Sequence, residues 1–205
     1  MSEFDAKART WDDDPQKAER ARCVADAIAA RVPDLARRRA LEYGSGTGLL
    51  GFALRGRVAA LTLADSSSEM TRVAREKIAA LGARDVTAVQ LDLTTGPAPG
   101  EVYDLVCTLL TLHHVPDVPA LLRRFHALVA PAGYVCVADL DEEDGSFHGA
   151  GFEGHRGFRR EVMASWLAEA GFSAIELQGV FEIERPGPGG IRRYPVFLAV
   201  GRRAA

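Results

Sequence analysis

Three acids stand where chemistry is easiest to place: Glu42, Asp65 and Asp92, each closing an apolar, β-rich run. Glu42 is followed by Tyr43-Gly44-Ser45-Gly46-Thr47-Gly48. Glycines at every second position let a backbone turn sharply after a strand and come close to a ligand. The helix that follows then offers unpaired amides and partial positive charge. Gly46-x-Gly48-x-x-Gly51 also fits the dinucleotide pattern, so the glycines alone leave a pyrophosphate ligand open. The acid just ahead of them separates the two readings. A carboxylate there would repel a pyrophosphate and suits a ligand carrying a cation, such as the amino group of a methionine moiety. Asp65 stands where an acid accepts hydrogen bonds from ribose hydroxyls. Asp92 can accept from an adenine amino group while the amide of Leu93 meets a ring nitrogen. Met70, one turn into the next helix, either presses on the adenine face or fills the helix core.

A second group of residues suits a reacting partner. Thr111, Leu112, His113 and His114 follow a fourth apolar run and should line the pocket at its reactive end. A histidine there can take a proton from a hydroxyl or amine near neutral pH, or merely shape the loop. Farther on, His148 and His155 can fold over the site, with Phe147, Phe152 and Phe158 shielding it from water. The histidines match no known metal-ligand spacing, and no metal is expected. Near the start, Phe4, Trp11 and Asp12 precede the first helix, and Trp11 is the candidate for a lid contact.

These groups need a scaffold, and the chain alternates strand-like and helix-like segments. Pro15 through Val32 reads as a helix, with Ala21, Val24, Ala25 and Ile28 on one face. A short strand ends at Leu41-Glu42-Tyr43, a helix covers Leu49 to Leu54, and Val58 to Ala64 is a strand ending in Asp65. Ser66, Ser67 and Ser68 can cap a helix that runs to Leu81 and stops at Gly82. Strands follow at Val86 to Leu91, Tyr103 to Leu112 and Tyr134 to Leu140. Asp117 caps a helix predicted to end near Pro131-Ala132-Gly133. Such βαβ alternation implies a parallel sheet with right-handed crossovers. The end differs: a polar segment, Asp141 to Gly157, precedes a helix from Arg159 to Ala170. Two β-like runs, Ala174 to Ile183 and Tyr194 to Val200, should then pair antiparallel around a Pro/Gly turn, Pro186 to Gly190.

Composition narrows the classes further. The 205 residues fit one α/β domain over 1–205, with an N-terminal lid and helix over 1–35 and an active-site loop over 141–158. A net charge of −3 and scattered arginines argue against nucleic acid as a partner. No run approaches a membrane span. The cysteines Cys23, Cys107 and Cys136 form no CxxC pair, and Met1 to Asp14 lacks the apolar stretch of a signal peptide. A reducing cytoplasm is the expected compartment, and a monomer or homodimer the expected state.

The motifs LEYGSGTGLLG (Leu41–Gly51), LADSSSEM (Leu63–Met70), VQLDL (Val89–Leu93), YDLVCTLLTLHHVPD (Tyr103–Asp117) and LVAPAGYVCVADL (Leu128–Leu140) resemble the class I S-adenosylmethionine-dependent methyltransferases, within them the type 11 group. The similar stretches cover about half the chain, in the family's order and spacing. The resemblance implies a Rossmann-like, doubly wound α/β sheet of seven strands, mostly parallel with the last antiparallel. It implies S-adenosylmethionine as cofactor, leaving S-adenosylhomocysteine, with Glu42, Gly44 and Gly46 at the methionine part, Asp65 at the ribose and Asp92 at the adenine. Ser45, Ser66, Met70, Leu93, Thr108 and Trp11 complete the expected cofactor contacts, and His113, His114 and His155 are the catalytic candidates. Ser45 departs from the cysteine many members carry. Leu-Thr-Leu-His-His stands in place of the Asn/Asp-Pro-Pro-aromatic motif of enzymes that methylate exocyclic amines of bases or glutamine amides. A small molecule methylated at O, N or C is therefore the expected acceptor. The competing readings are an NAD-dependent oxidoreductase and a non-catalytic S-adenosylmethionine-binding protein.

Overall fold

The computed structural model describes residues 3–97, 99–187 and 189–205. Its strands are β1 (Arg39–Tyr43), β2 (Ala60–Asp65), β3 (Val86–Gln90), β4 (Tyr103–Leu109), β5 (Val129–Leu140), β6 (Phe172–Gly187) and β7 (Gly190–Arg203). They form one seven-stranded sheet in the order β3-β2-β1-β4-β5-β7-β6. Pairings among β1 to β5 are parallel, whereas β7 runs antiparallel to both β5 and β6. Strand order reverses between β1 and β4, and that divergence opens a crevice at the carboxyl edge of the sheet.

Side-chain alternation builds two cores. Along β5, Cys136 and Ala138 enter one cluster with Ala21, Val24, Ala25 and Ile28 of α2 (Pro15–Arg31). Val135 and Val137 enter the other, with Leu121, Leu122 and Phe125 of α5 (Val118–Leu128). The i, i+3, i+4, i+7 stripe on α2 is what covers a sheet face. Between them, α3 (Leu49–Leu54) and α4 (Ser68–Ala80) follow β1 and β2, and α6 (Arg160–Glu169) precedes β6. Caps set the entries: the Ser67 hydroxyl accepts from the Met70 amide at 3.1 Å, and Asp117 from the Ala120 amide at 2.9 Å.

Three boundaries differ from the sequence reading. Helix α5 stops at Leu128 and β5 begins at once, because Val129 is fully buried and pairs with Tyr103. Pro131-Ala132-Gly133 then forms an irregularity in the strand instead of a helix end, and pairing resumes at Leu105 with Tyr134. Strand β4 ends at Leu109, where Leu110 turns to a φ of +52° and Leu112–His114 form a 3-10 turn. The last hairpin runs into the expected turn, with Pro186 opposite Ile191 and Gly187 opposite Gly190.

The polar 141–158 segment is tied down despite its irregular course. Arg160 grips Asp141 with two bonds of 2.7 and 2.6 Å, Arg192 reaches Asp144 at 2.6 Å, and Ser146 meets the Tyr194 hydroxyl at 2.8 Å. At the other end of the chain, the short helix α1 (Glu3–Lys7) and a 3-10 turn (Ala8–Asp13) lie against α4. Asp5 accepts from the Ser67 hydroxyl at 2.6 Å, and Asp12 from the Thr47 hydroxyl at 2.5 Å while also pairing with Lys77. Both clips fasten the N-terminal segment beside the glycine turn. Among the described residues, no helix is long and apolar enough to cross a membrane.

Candidate active site

A cavity of about 410 Å³ opens at the carboxyl edge of the sheet, in the range of small-molecule sites. Its wall includes Glu42, Gly44, Ser45, Gly46, Asp65, Ser66, Met70 and Asp92 at one end, with Trp11 above the glycine turn. The other end carries His113, His114, Phe147 and His148. Thus β1, β2 and the residues after β3 and β4 deliver most of the expected groups to one space.

Gly44 shows why the turn takes its form. Its φ is +66°, and a Cβ would lie 2.2 Å from Thr111 Cγ2, so no larger residue fits between the turn and the end of β4. Glu42 beneath it is 2 % exposed, and its Oε2 accepts from the Gly51 amide at 2.8 Å. Burial pushes its pKa from the ordinary 4.5 up to about 8, against the pull of the Gly51 bond. No cation among the described residues lies within ion-pair distance of it. This carboxyl lacks a positive partner, which an ammonium group would supply.

Asp65 accepts from the Gly46 amide at 2.7 Å on one oxygen and from the Ser67 amide at 2.8 Å on the other. Burial raises its pKa more than these two bonds lower it. Each oxygen keeps a lone pair for a ligand hydroxyl. Asp92 is held by the Thr94 amide at 2.7 Å and by the hydroxyls of Thr94 and Thr95 at 2.6 and 2.8 Å. Burial acts to raise its pKa, but these bonds together leave it below the usual carboxylate value. Met70 is 1 % exposed and packed in the core, and it also forms part of the cavity wall. Trp11 is steadied by Lys17, whose Nζ lies 3.7 Å above the ring and donates to the Trp11 carbonyl at 2.9 Å.

Three expected residues lie off the wall. Leu93 is fully buried, and its amide already donates to the Tyr43 hydroxyl at 3.2 Å, so that N–H is not open to an adenine nitrogen. Thr108 is 1 % exposed inside β4, and its hydroxyl has no partner among the described residues. His155 lies behind the site: its amide donates to the His113 carbonyl at 2.7 Å and its Nε2 contacts the Val115 carbonyl at 3.1 Å. His155, expected as a catalytic candidate, is thus not among the residues lining the cavity, and its bonds brace the loop that carries His113.

The histidine end of the cavity is organised around a residue the sequence reading missed. Asp139, fully buried near the end of β5, accepts from the amides of Leu112 at 2.9 Å and Leu140 at 2.8 Å. Its Oδ1 sits 2.6 Å from His113 Nδ1. Acceptor-only oxygens require the imidazole to carry its proton on Nδ1, which leaves Nε2 as the basic nitrogen. The available signal was an acid interrupting the apolar run Val135-Cys136-Val137-Ala138. His148 completes a cluster: one ring nitrogen from each of His113, His114 and His148 lies within 4.8 Å of the others. That arrangement, 34 residues apart in sequence, escapes any spacing rule, and three imidazoles can hold a divalent cation as readily as a proton. Phe152 stacks on His148 at 3.8 Å, and Phe4 meets His114 edge-on at 5.1 Å.

A Rossmann-like sheet with an antiparallel last strand, joined to a glycine turn beside a buried acid with no ion-pair partner among the described residues, defines the class of S-adenosylmethionine-dependent methyltransferases. Residues 17–177 match the family described as methyltransferase domain, and the chain belongs to that family. It is 29% identical over 164 residues, 71% of this chain and 69% of the relative, to a ubiquinone biosynthesis O-methyltransferase of Pseudomonas aeruginosa. The YcgJ protein from Bacillus subtilis superposes with a TM-score of 0.72 at 14% identity, over 89% of this chain and 98% of that one. Phosphoethanolamine N-methyltransferase 2 of Haemonchus contortus, in complex with S-adenosyl-L-methionine, gives 0.70 at 15% identity, over 88% of this chain and 52% of that one. The cofactor is S-adenosylmethionine, and the oxidoreductase reading is set aside. The donor set fits the group: a buried carboxyl in want of a cation, then two acids with open lone pairs.

Proposed function

We propose that the protein methylates a hydroxyl group of a small-molecule acceptor, with His113 as the proton acceptor and Asp139 as its positioning residue. The observation that carries this reading is the 2.6 Å bond between His113 Nδ1 and a fully buried Asp139, on the wall of the cavity that holds the cofactor acids. Glu42 holds the methionine ammonium, Asp65 the ribose hydroxyls and Asp92 the adenine edge. Bound there, the cofactor supplies an electrophilic methyl group whose bond to sulfur breaks with the electron pair left on sulfur. His113 Nε2 takes the acceptor's O–H proton as the oxygen forms its bond to the methyl carbon. Alignment and dryness do the rest, and Trp11, Phe4 and Phe147 close the cavity against water.

The N-terminal segment acts as a lid, held by the Asp5 and Asp12 clips, and the 141–158 segment forms the acceptor wall. One domain, a monomer or homodimer, suffices for this chemistry. Acidic net charge supports an acceptor other than nucleic acid, and three free cysteines, two of them buried, suit a reducing cytoplasm.

The test is a methyl-transfer screen with labelled cofactor against hydroxylated metabolites, followed by His113→Ala and Asp139→Asn. Each variant should lose about a hundredfold or more in kcat while binding S-adenosylhomocysteine normally. For Asp139→Asn, the apparent pKa of the kcat profile should also move, because the imidazole loses the group that fixes its tautomer. Turnover undiminished in His113→Ala would remove the proposed base.

A further inference from the structure

His113 does not stand alone at its end of the cavity. His114, next to it on the 3-10 turn after β4, and His148, from the segment after β5, line the same wall. One ring nitrogen from each of the three lies within 4.8 Å of the others. A tetrahedral zinc ion holds its nitrogens at about 2.0–2.1 Å, which sets them about 3.3 Å from one another. The three rings therefore need to close by at most about 1.5 Å. Rotation of side chains covers that distance, and His148 sits on a segment outside the helices and strands.

The surroundings of the rings are those of a ligand set. Asp139, fully buried, faces His113 Nδ1 at 2.6 Å and also accepts from the amides of Leu112 and Leu140. A carboxylate behind an imidazole fixes the ring and makes its outer nitrogen more basic, as metal-bound histidines almost always require. His113 then offers Nε2. Phe152 stacks on His148 at 3.8 Å, Phe147 meets it edge-on at 4.8 Å, and Phe4 meets His114 at 5.1 Å. Such an apolar collar keeps water from competing for the ion. Neutral imidazoles select zinc, cobalt, nickel or copper, whereas magnesium and calcium prefer oxygen.

We infer that His113, His114 and His148 form a binding site for a divalent transition-metal ion of the zinc class, and that its occupation switches methyl transfer off. The Nε2 lone pair that His113 gives the ion is the one that takes the acceptor's proton, so bound metal and working base exclude each other. Each ring ligates in its neutral form, and any proton it carried goes to solvent. The site stands on the geometry of the cluster; its inhibitory consequence rests on the reading of His113 as the base.

Cobalt(II) titrated into the wild-type protein should give the visible absorption of a four-coordinate ion and saturate at one ion per chain. Zinc should displace it and magnesium should not. His148→Phe keeps an aromatic ring against Phe147 and Phe152, so its melting temperature should hold while calorimetry shows zinc bound at least about a hundredfold more weakly. Asp139→Asn should weaken zinc by about ten- to a hundredfold. In the methyl-transfer assay, zinc should inhibit at concentrations matching its dissociation constant, and a chelator should restore the rate. Inhibition of His148→Phe, measured against its own metal-free rate, should need about a hundredfold more zinc. Absence of the cobalt absorption would overturn the site, and so would a zinc affinity that survives both His148→Phe and His114→Phe. Zinc held by the cluster with methyl transfer unimpaired, or enhanced, would overturn the switch. Failure of all methyl transfer beside an intact cobalt spectrum would instead defeat the functional reading, because the spectrum reports the site without it.

Discussion

Lowering the pH from 7.5 to 6 should weaken S-adenosylhomocysteine binding, because Glu42 must lose a proton before it can pair with the ligand's ammonium group. Burial raises the Glu42 pKa from 4.5 to about 8. At pH 7 the free enzyme therefore keeps this carboxyl protonated in about nine molecules of ten, whereas the complex holds it ionised. Binding should release about 0.9 proton per ligand at pH 7, and the dissociation constant should rise close to tenfold for each pH step downward. Calorimetry in buffers of different ionisation enthalpy reads the proton count directly. Glu42→Gln should abolish the release and flatten the pH dependence. The same residue shapes stability, with a definite sign. A carboxyl whose pKa is raised on folding favours the folded state fully below 4.5 and loses that advantage as pH climbs through about 8. By pH 7 the unfolded chain has gained about 3 kcal/mol relative to the fold, an upper figure for the benefit of Glu42→Gln. That variant should melt above the wild type at pH 8, and the gap should shrink toward pH 5. Binding without proton release, flat between pH 6 and 7.5, would refute the placement of an ammonium group on Glu42.

Two further outcomes follow from the same geometry. Trp11→Ala should weaken S-adenosylhomocysteine by about tenfold with the melting temperature nearly unchanged, since the ring stands on the cavity wall above the glycine turn; unaltered affinity would remove Trp11 from the lid. Methyl transfer should survive dialysis against a chelator, because the imidazoles act on protons in this reading; loss of activity restored by zinc or another divalent ion would convert the cluster of His113, His114 and His148 into a metal centre.

The local elements were readable because their signals are local. A helix stripe such as Ala21, Val24, Ala25 and Ile28, a capping serine at Ser67 or an acid at a strand end depends on spacing within one segment. The crossovers then force the carboxyl ends of parallel strands to one edge, which is why Glu42, Asp65 and Asp92 could be assigned to a common site before any coordinates. Boundaries failed where long-range pairing overrode local punctuation. Pro131-Ala132-Gly133 looks like a helix stop, but the burial of Val129 against β4 starts the strand earlier.

The histidine end of the cavity belongs to tertiary structure. Nothing in the spacing of His113 and Asp139, or of His114 and His148, announces contact, because the β4 and β5 ends and the loop after β5 meet only when the sheet closes. Leu93 and His155 show the converse: their types suited a site, yet the Tyr43 hydroxyl and the carbonyl of Val115 engage them. Arg20 is the sharpest case, since a cation on an amphipathic helix reads as solvated surface until β6 folds across it and takes the water away. Sequence alone determined the glycine turn and the acids at the strand ends, because each is a local signal; only the packed fold decided which side chains lose water and which partners they keep.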